Sequence, residues 1–215
     1  LFPGILKVAR LGYDGKGQQV LDGQSDLIKI WENFSAGELI LEKFVNFTSE
    51  ISVIVARNIE GEIACYQPLT NIHKNGILDR SIYPAKINAQ TGLGAVEIAS
   101  SITHKLDLIG LLAVEFFVLT DGNLLVNELA PRPHNSGHFS MDASNTGQFE
   151  QLIRAISGLS LGSVDFHSQG HMQNLIGEDI LQTNAHLENN KAKLHLYGKD
   201  KIAAGRKMGH INFLN

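Results

Sequence analysis

The sequence predicts an α+β fold whose larger part is built on antiparallel sheet. Three observations carry this. Residues 111–119 (LLAVEFFVL) and 124–129 (LLVNEL) are β-rich runs, and Asp121-Gly122 between them is a strong hairpin turn signal. Further short strand patterns recur at 4–9, 39–45, 49–57, 62–67, 77–83, 175–181, 193–197 and 207–213. Helical periodicity is confined to 25–34, 91–106 and 146–157.

Each helix has its own signature. In 25–34, Ser25 is the expected N-cap, Asp26 lies in the first turn, and Leu27, Ile30, Trp31 and Phe34 form the apolar face. In 91–106, Val96, Ala99, Ile102 and Leu106 follow the helical spacing, and in 146–157 Phe149, Leu152, Ile153 and Ile156 are read as inward. From Gly158 the texture changes to short strands and turns.

Composition narrows the function classes. A chain of 215 residues with 43% hydrophobic content supports a sizeable core and one or two domains. A net charge of −4 gives no footprint for nucleic acid. No apolar run approaches a membrane span, and no signal-peptide pattern precedes the first strand, so no membrane partner is expected. The single Cys65 excludes an internal disulfide framework and a cysteine-based zinc site, and suits a cytoplasmic location.

The hairpin is the chemically richest stretch. If Asp121-Gly122 form the turn, Thr120 faces Asn123, and counting outward puts Glu115 opposite Glu128. Opposed residues share a face with Cβ atoms roughly 4.5–5.5 Å apart. Two carboxylates so close in apolar strands should repel and resist burial, and a divalent cation is the simplest compensation. Hard oxygen ligands favour magnesium, held together with substrate phosphates. The competing reading is a pair of glutamates on a solvated face. Alternation weakens it, because Leu111, Ala113 and Phe117 share Glu115's face and Leu124 and Val126 are expected to share Glu128's.

Other candidates are weaker taken singly. Residues 12–18 (GYDGKGQ) form a flexible glycine-rich loop that could approach phosphate oxygens, although neither the Walker nor the dinucleotide spacing is present. Lys7, on the preceding strand, could reach phosphates held there; otherwise it is an exposed edge lysine. His73 sits in a polar segment, NIHKNG, where a histidine is usually just solvated. Residues 130–138 pack Arg132, His134, Asn135, Ser136 and His138 between two prolines and a glycine, directly after Glu128. Lys199, Lys201, Arg206 and Lys207 form a basic cluster that could hold an anionic group or simply solubilise the surface.

Together, GYDGKGQ, EKFVNFTSEISVIVAR, NELAPRPHNSGH, TGQFEQLIRAISGLSLG and the closing GRKMGHINFL resemble 5-(carboxyamino)imidazole ribonucleotide synthase, a purine-biosynthetic family of the ATP-grasp superfamily. These motifs span nearly the whole chain in the family's order, and NELAPRPHNSGH is close to diagnostic. The resemblance implies an ATP-grasp fold, with a small lid subdomain over 1–56 and a larger domain over 57–215 that ends in a small-strand region from about 158. The family also has an N-terminal pre-grasp domain that closes one side of the active site. The start at Leu1-Phe2-Pro3-Gly4 without an initiator Met is read as part of a longer protein.

The implied roles follow position by position. Lys7 and the loop Tyr13, Asp14, Gly15, Lys16, Gly17 and Gln18 would hold ATP phosphates. Glu42, Lys43, Phe44 and Val45 would read the adenine and Glu50 the ribose, with His73 and Asn127 also at the nucleotide. Glu115, Glu128 and Asn135 would bind magnesium, with manganese as an alternative. Tyr13, Asp14, Lys16, Arg132, His134, Asn135, Ser136, Lys199 and Arg206 would surround 5-aminoimidazole ribonucleotide and bicarbonate. Of these, Asp14, Arg132 and His134 are the candidate catalytic groups, and Lys199 and Arg206 would hold the ribotide phosphate. Lys16 stands where many members have Arg, and an ammonium lacks the bidentate fork. The implied reaction is ATP-dependent carboxylation of the ribotide amine through carboxyphosphate, by a homodimer in the full-length family. The alternatives are another ATP-grasp ligase with a different acceptor, or a fragment that binds nucleotide without turnover.

Overall fold

The computed structural model describes residues 2–10, 12, 17–34 and 37–215. The chain divides into two compact units, Leu1–Asn46 with Lys74–Ile77, and Phe47–His73 with Leu78–Asn215.

In the first unit, strands β1 (Gly4–Val8), β2 (Gln18–Leu21) and β3 (Leu39–Lys43) form an antiparallel sheet in the order β2-β1-β3. Helix α1 (Leu27–Asn33) is capped by Asp26, whose carboxylate accepts from the Lys29 amide. Ser25 is not the cap; its hydroxyl donates to Asp22 in the preceding turn. Both residues can serve as caps, and Ser25 is already engaged one turn earlier. Of the expected apolar face only Ile30 is buried, whereas Leu27 and Trp31 are exposed.

The second unit is built on a sheet ordered β11-β12-β10-β7-β6-β4-β8-β9, with β5 (Ile63–Cys65) paired to β4. The remaining strands are β4 (Ser49–Arg57), β6 (Leu69–Lys74), β7 (Ile77–Tyr83), β8 (Gly110–Val118), β9 (Leu124–Ala130), β10 (Gly170–Ile176), β11 (Ala192–Leu196) and β12 (Lys207–Leu214). The expected boundary at residue 56 is therefore corrected. β4 is an interior strand buried on both faces, paired along its whole length with β8, and it belongs to the larger unit. The small-strand stretch from 158 lies within the same unit, where β10 pairs with β7 and extends the sheet.

One face of the sheet is apolar. Ile51, Val53 and Val55 of β4 and Leu112, Val114, Phe116 and Val118 of β8 pack against Ala95 and Ala99 of helix α2 (Ala89–Lys105). Small residues on α2 allow close approach to the sheet; Ile102 is only partly buried and Leu106 is exposed, unlike the sequence expectation. The other face carries Ile54, Ala56, Leu111, Ala113 and Ala130 against Leu152 of helix α4 (Gln148–Ile156). Between them lie the short helix α3 (Ser140–Ala143) and a 3₁₀ turn over Asn135–Phe139; helix α5 (Thr183–Leu187) lies near the end. No helix among the described residues is long and apolar enough to cross a membrane.

The inward face of α4 is mainly polar, and of the residues expected inward only Leu152 packs against the sheet. Gln148, Gln151 and Ala155 are buried, while Phe149, Ile153 and Ile156 are 44%, 56% and 56% exposed. Burial of the two glutamines is compensated by hydrogen bonds. The Gln151 amide exchanges both bonds with the backbone of Gly162 at 2.8 Å, so its desolvation leaves nothing unpaired.

The N-cap of α2 offers a direct check on local stability. Asn88 accepts from the Thr91 amide at 2.8 Å. Asn88→Ala is expected to cost about 1 kcal/mol, read as a lower urea midpoint at unchanged m-value.

Candidate active site

The β8–β9 hairpin brings Glu115 directly opposite Glu128. It does so by a different route from the simple count. Leu119 donates to the Asn123 carbonyl, and Val118 pairs with Leu124, which offsets the strands by one residue at the turn. A bulge at Asn127 then restores the offset before Glu128. A bulge inserts one unpaired residue and re-aims its strand. Two departures thus cancel at the carboxylates. They do not cancel nearer the turn, where Leu124 and Val126 lie opposite Val118 and Phe116 on the apolar face, not with Glu128.

Cross-strand pairing extends this polar face through the sheet. Ser52 of β4 is opposite Glu115, Glu50 is opposite Phe117 on that same side, and Asn71 of β6 is opposite Glu50. His73 follows two residues later on β6, a strand where a solvated loop was expected. Its Nδ1 lies 3.0 Å from Glu50 Oε2, an ion-pair contact without hydrogen-bond alignment. Burial disfavours the charged imidazole, yet Glu50 and Glu115 outweigh it and raise the His73 pKa. Glu115 is pushed up to about 7 by burial, aided by Glu128 and Glu50 and opposed by His73 and Lys207. Here the protein has concentrated carboxylates beyond what its own cations neutralise.

The segment after β9 lies across this face. His134 caps the 3₁₀ turn, its Nδ1 accepting from the Ser136 amide. Ser52 donates to the Ser136 hydroxyl at 2.8 Å, which leaves the Ser136 proton to point at His134 Nδ1, 2.9 Å away. Nδ1 is then an acceptor and the neutral ring carries its proton on Nε2. Glu115 Oε1 is 3.5 Å from the same Nδ1. Gln148 clamps the backbone of His134, accepting from its N–H at 3.0 Å and donating to its carbonyl at 2.8 Å. The same amide approaches His138 Nδ1 at 2.8 Å. Gly137 is required by this clamp, since a Cβ there would meet Gln148 Oε1 at 2.7 Å and Ile54 at 3.0 Å.

Further along, Asn135 pairs with Asn174 of β10. Asn212 of β12 donates to the His138 carbonyl and to Asp142, and Asp142 also meets His195 of β11 at 2.8 Å. The His138, His210 and His195 rings stack in succession at 4.6 Å spacing. Burial, reinforced by neighbouring imidazoles, lowers His138 to about 4 and His210 to about 3, so both are neutral at physiological pH.

The remaining sequence candidates fall as follows. Arg132 is exposed and donates to the Pro133 carbonyl. Lys199 and Arg206 flank the β11–β12 connection; Lys199 donates to the Lys207 carbonyl and Arg206 to that of Lys201. In the first unit, Lys7 pairs with Glu42 at 2.6 Å, Gln18 is opposite Lys7, and Lys43 ends β3. That exposed ion pair is worth under about 1 kcal/mol and can be exchanged for a ligand group. Phe44 is bonded to the Pro3 carbonyl, and Val45 follows it. Gly17 begins β2's approach with a Cβ-excluding contact to Val8. Tyr13, Asp14, Gly15 and Lys16 lie outside the described residues.

Glu115, Glu128 and the Asn135 amide offer oxygen donors suited to a hard cation, and Glu115 is raised by burial, aided by Glu128 and Glu50. Among the described residues no three His, Cys, Asp or Glu converge as a self-sufficient metal cage. Sequence reasoning missed Ser52, Gln148, Asn174, Asp142, His195, His210 and Asn212. Ser52 could have been found as the polar residue two positions after Glu50 in an apolar strand, and Gln148 lies in the TGQFEQ motif; Asn174 carries no local signal.

A model of the ATP-grasp domain family matches residues 1–149, and one for the phosphoribosylaminoimidazole carboxylase C-terminal domain matches 171–215. The N5-carboxyaminoimidazole ribonucleotide synthase of Bacillus subtilis (strain 168) is 47% identical over 213 residues, 99% of this chain and 56% of that protein. The solved Staphylococcus aureus N5-carboxyaminoimidazole synthetase complexed with ADP aligns with a TM-score of 0.92 at 38% identity, covering 100% of this chain and 57% of its own. The Aspergillus clavatus N5-carboxyaminoimidazole synthase, solved with ADP and 5-aminoimidazole ribonucleotide, aligns with a TM-score of 0.90 at 27% identity, over the same shares. The chain thus spans little more than half the length of these relatives.

The raised Glu115 pKa has a measurable consequence. The unfolded carboxyl titrates near 4.5 and the folded one near 7, so the folded state binds more protons across that window. Stability from this group falls as pH rises from 4.5 through 7. Glu115→Gln is expected to stabilise the metal-free chain at about pH 8, by on the order of 3 kcal/mol, and to change little at about pH 4. Thermal unfolding in chelator at the two pH values checks this.

Proposed function

This chain belongs to the ATP-grasp family, and we propose that its site serves the ATP-dependent carboxylation of 5-aminoimidazole ribonucleotide by bicarbonate. The observation that carries the reading is the opposed pair Glu115–Glu128 with the Arg132–Ser136 segment bonded onto the same face of the sheet.

Bicarbonate is a poor electrophile at neutral pH, and phosphorylation repairs this. A bicarbonate oxygen attacks the γ-phosphorus of ATP and gives carboxyphosphate with release of ADP. Carboxyphosphate decomposes toward carbon dioxide and phosphate beside the ribotide amine, which captures the carbon. Little covalent chemistry falls to the protein, so catalysis is positioning and charge neutralisation. Glu115 and Glu128, with Asn135, would hold magnesium, which when bound would neutralise charge on the phosphate oxygens.

The other residues have separable roles. Lys7, Gly17 and Gln18, with Tyr13–Lys16, serve the ATP phosphates, and Glu42, Lys43, Phe44 and Val45 the adenine. Glu50, His73 and Asn127 serve the nucleotide. Arg132 offers a guanidinium to the bicarbonate-derived anion. His134, held by Gln148 and with Nδ1 engaged by Ser136, can present the Nε2 proton to that anion. Asp14 orients the ribotide amine or accepts its proton. Lys199 and Arg206 bind the ribotide phosphate, for which their present partners, backbone carbonyls, are weak competitors.

ADP release by this chain with Mg·ATP and bicarbonate, with and without the ribotide, tests the reading. Ribotide-dependent release supports it, whereas ATP binding without acceptor-stimulated hydrolysis favours a nucleotide-binding fragment. Glu128→Gln is expected to leave the fold intact and to lower ADP release at least about 100-fold; near-normal turnover would sink the metal assignment. Arg206→Ala is expected to raise the ribotide KM by about tenfold or more, a loss of about 1.4 kcal/mol, with ATP affinity nearly unchanged. An equal loss for both ligands would make the tail structural.

A further inference from the structure

We propose that Asn174 is a positioning residue that fixes the orientation of the Asn135 amide in the active site. Asn174 is fully buried on β10, within the stretch matched by the C-terminal domain model, whereas Asn135 lies within the ATP-grasp stretch. Its amide nitrogen is 2.8 Å from the Leu78 carbonyl of β7. A carbonyl can only accept, so this contact decides which end of Asn174 is nitrogen. The same nitrogen donates to Asn135 Oδ1 at 2.6 Å, and Asn174 Oδ1 accepts from Asn135 Nδ2 at 3.0 Å.

The pairing is reciprocal, so the choice propagates. Turning Asn135 by 180° would set nitrogen against nitrogen and oxygen against oxygen. A carbonyl on β7 therefore dictates, through Asn174, where Asn135 presents its carbonyl oxygen. That oxygen is the atom Asn135 would offer a cation, and outer residues that orient ligands typically change metal affinity or activity 10- to 100-fold. The inference deepens the proposed function and rests on its placement of Asn135 beside the metal.

Asn174→Asp tests it with little change of shape. The carboxylate keeps an acceptor but cannot donate, so it opposes both Leu78 O and Asn135 Oδ1. In the ligand-free chain, the Asn135 side-chain amide resonances are expected to shift and to exchange with solvent faster in the variant. Unchanged resonances would overturn the proposal whatever the protein's activity. Should Asn174→Asp not fold, the milder Asn174→Ser is read in the same way.

The second readout is Mn²⁺ binding in the presence of ADP, followed by electron paramagnetic resonance. Asn174→Asp is expected to weaken it roughly 10- to 100-fold, and Asn135→Ala comparably, with no further loss in the double variant. Multiplied losses would mean that Asn174 does not act through Asn135, and an unweakened Asn174→Asp would equally overturn the proposal. A wild-type chain that binds no Mn²⁺·ADP would instead defeat the functional reading, and the amide resonances would still decide whether Asn174 orients Asn135.

Discussion

Segment 134–142 crosses one face of the large sheet and is tied down by buried and half-buried polar bonds to four of its strands. Ser136 meets Ser52 on β4, Asn135 meets Asn174 on β10, the His138 carbonyl and Asp142 meet Asn212 on β12, and Asp142 meets His195 on β11. Gln148 holds the segment from the helix side. A loop over apolar sheet would slide; this one has a donor or acceptor waiting at each step. Each bond contributes only about 1 kcal/mol net, but leaving one buried partner unmet costs about 1–3 kcal/mol. The network therefore selects one placement of His134 and Asn135 more than it adds stability.

The same face pays for its chemistry in charge. β4, β6 and β8 bring Glu50, His73 and Glu115 together because strand pairing aligns them, not because they attract. His73 offsets part of the carboxylate charge, and Lys207 contributes from β12, yet Glu115 stays well above the ordinary carboxylate range. Structural ion-pair networks usually settle with carboxylates lowered. A carboxylate raised by burial and by like charge is one whose ionised form a further cation would stabilise.

How much of this was legible in the sequence depended on whether a signal was local. The hairpin was, because Asp121-Gly122 and two β-rich runs adjoin one another, and Glu115–Glu128 emerged from counting. The bulge at Asn127 was not, so the faces of Leu124 and Val126 came out reversed. Helix α4 was misread for a related reason. Periodicity assigns apolar residues inward, but its partners are the His134 backbone and the Gly162 backbone, which only Gln148 and Gln151 can satisfy. His73 looked like a solvated loop residue because its partner, Glu50, lies on another strand. The motif resemblance located the residues of the 127–138 segment, but it carried no information on what supports them.

What supports them lies largely in the C-terminal stretch, where β10, β11 and β12 contribute Asn174, His195, His210 and Asn212 to the polar face. The stacked imidazoles act as flat, hydrogen-bonding filler between strands and segment, with His138 and His210 held neutral by burial. Two polar atoms in the cluster, His210 Nε2 and Asn212 Oδ1, have no hydrogen-bond partner among the described residues. Such an arrangement would be a poor way to gain stability, since apolar packing of the same volume costs no desolvation. It is a good way to make two stretches of chain register with each other. The C-terminal strands thus do more than extend the sheet: they supply the fixed points against which the 134–142 segment is aligned.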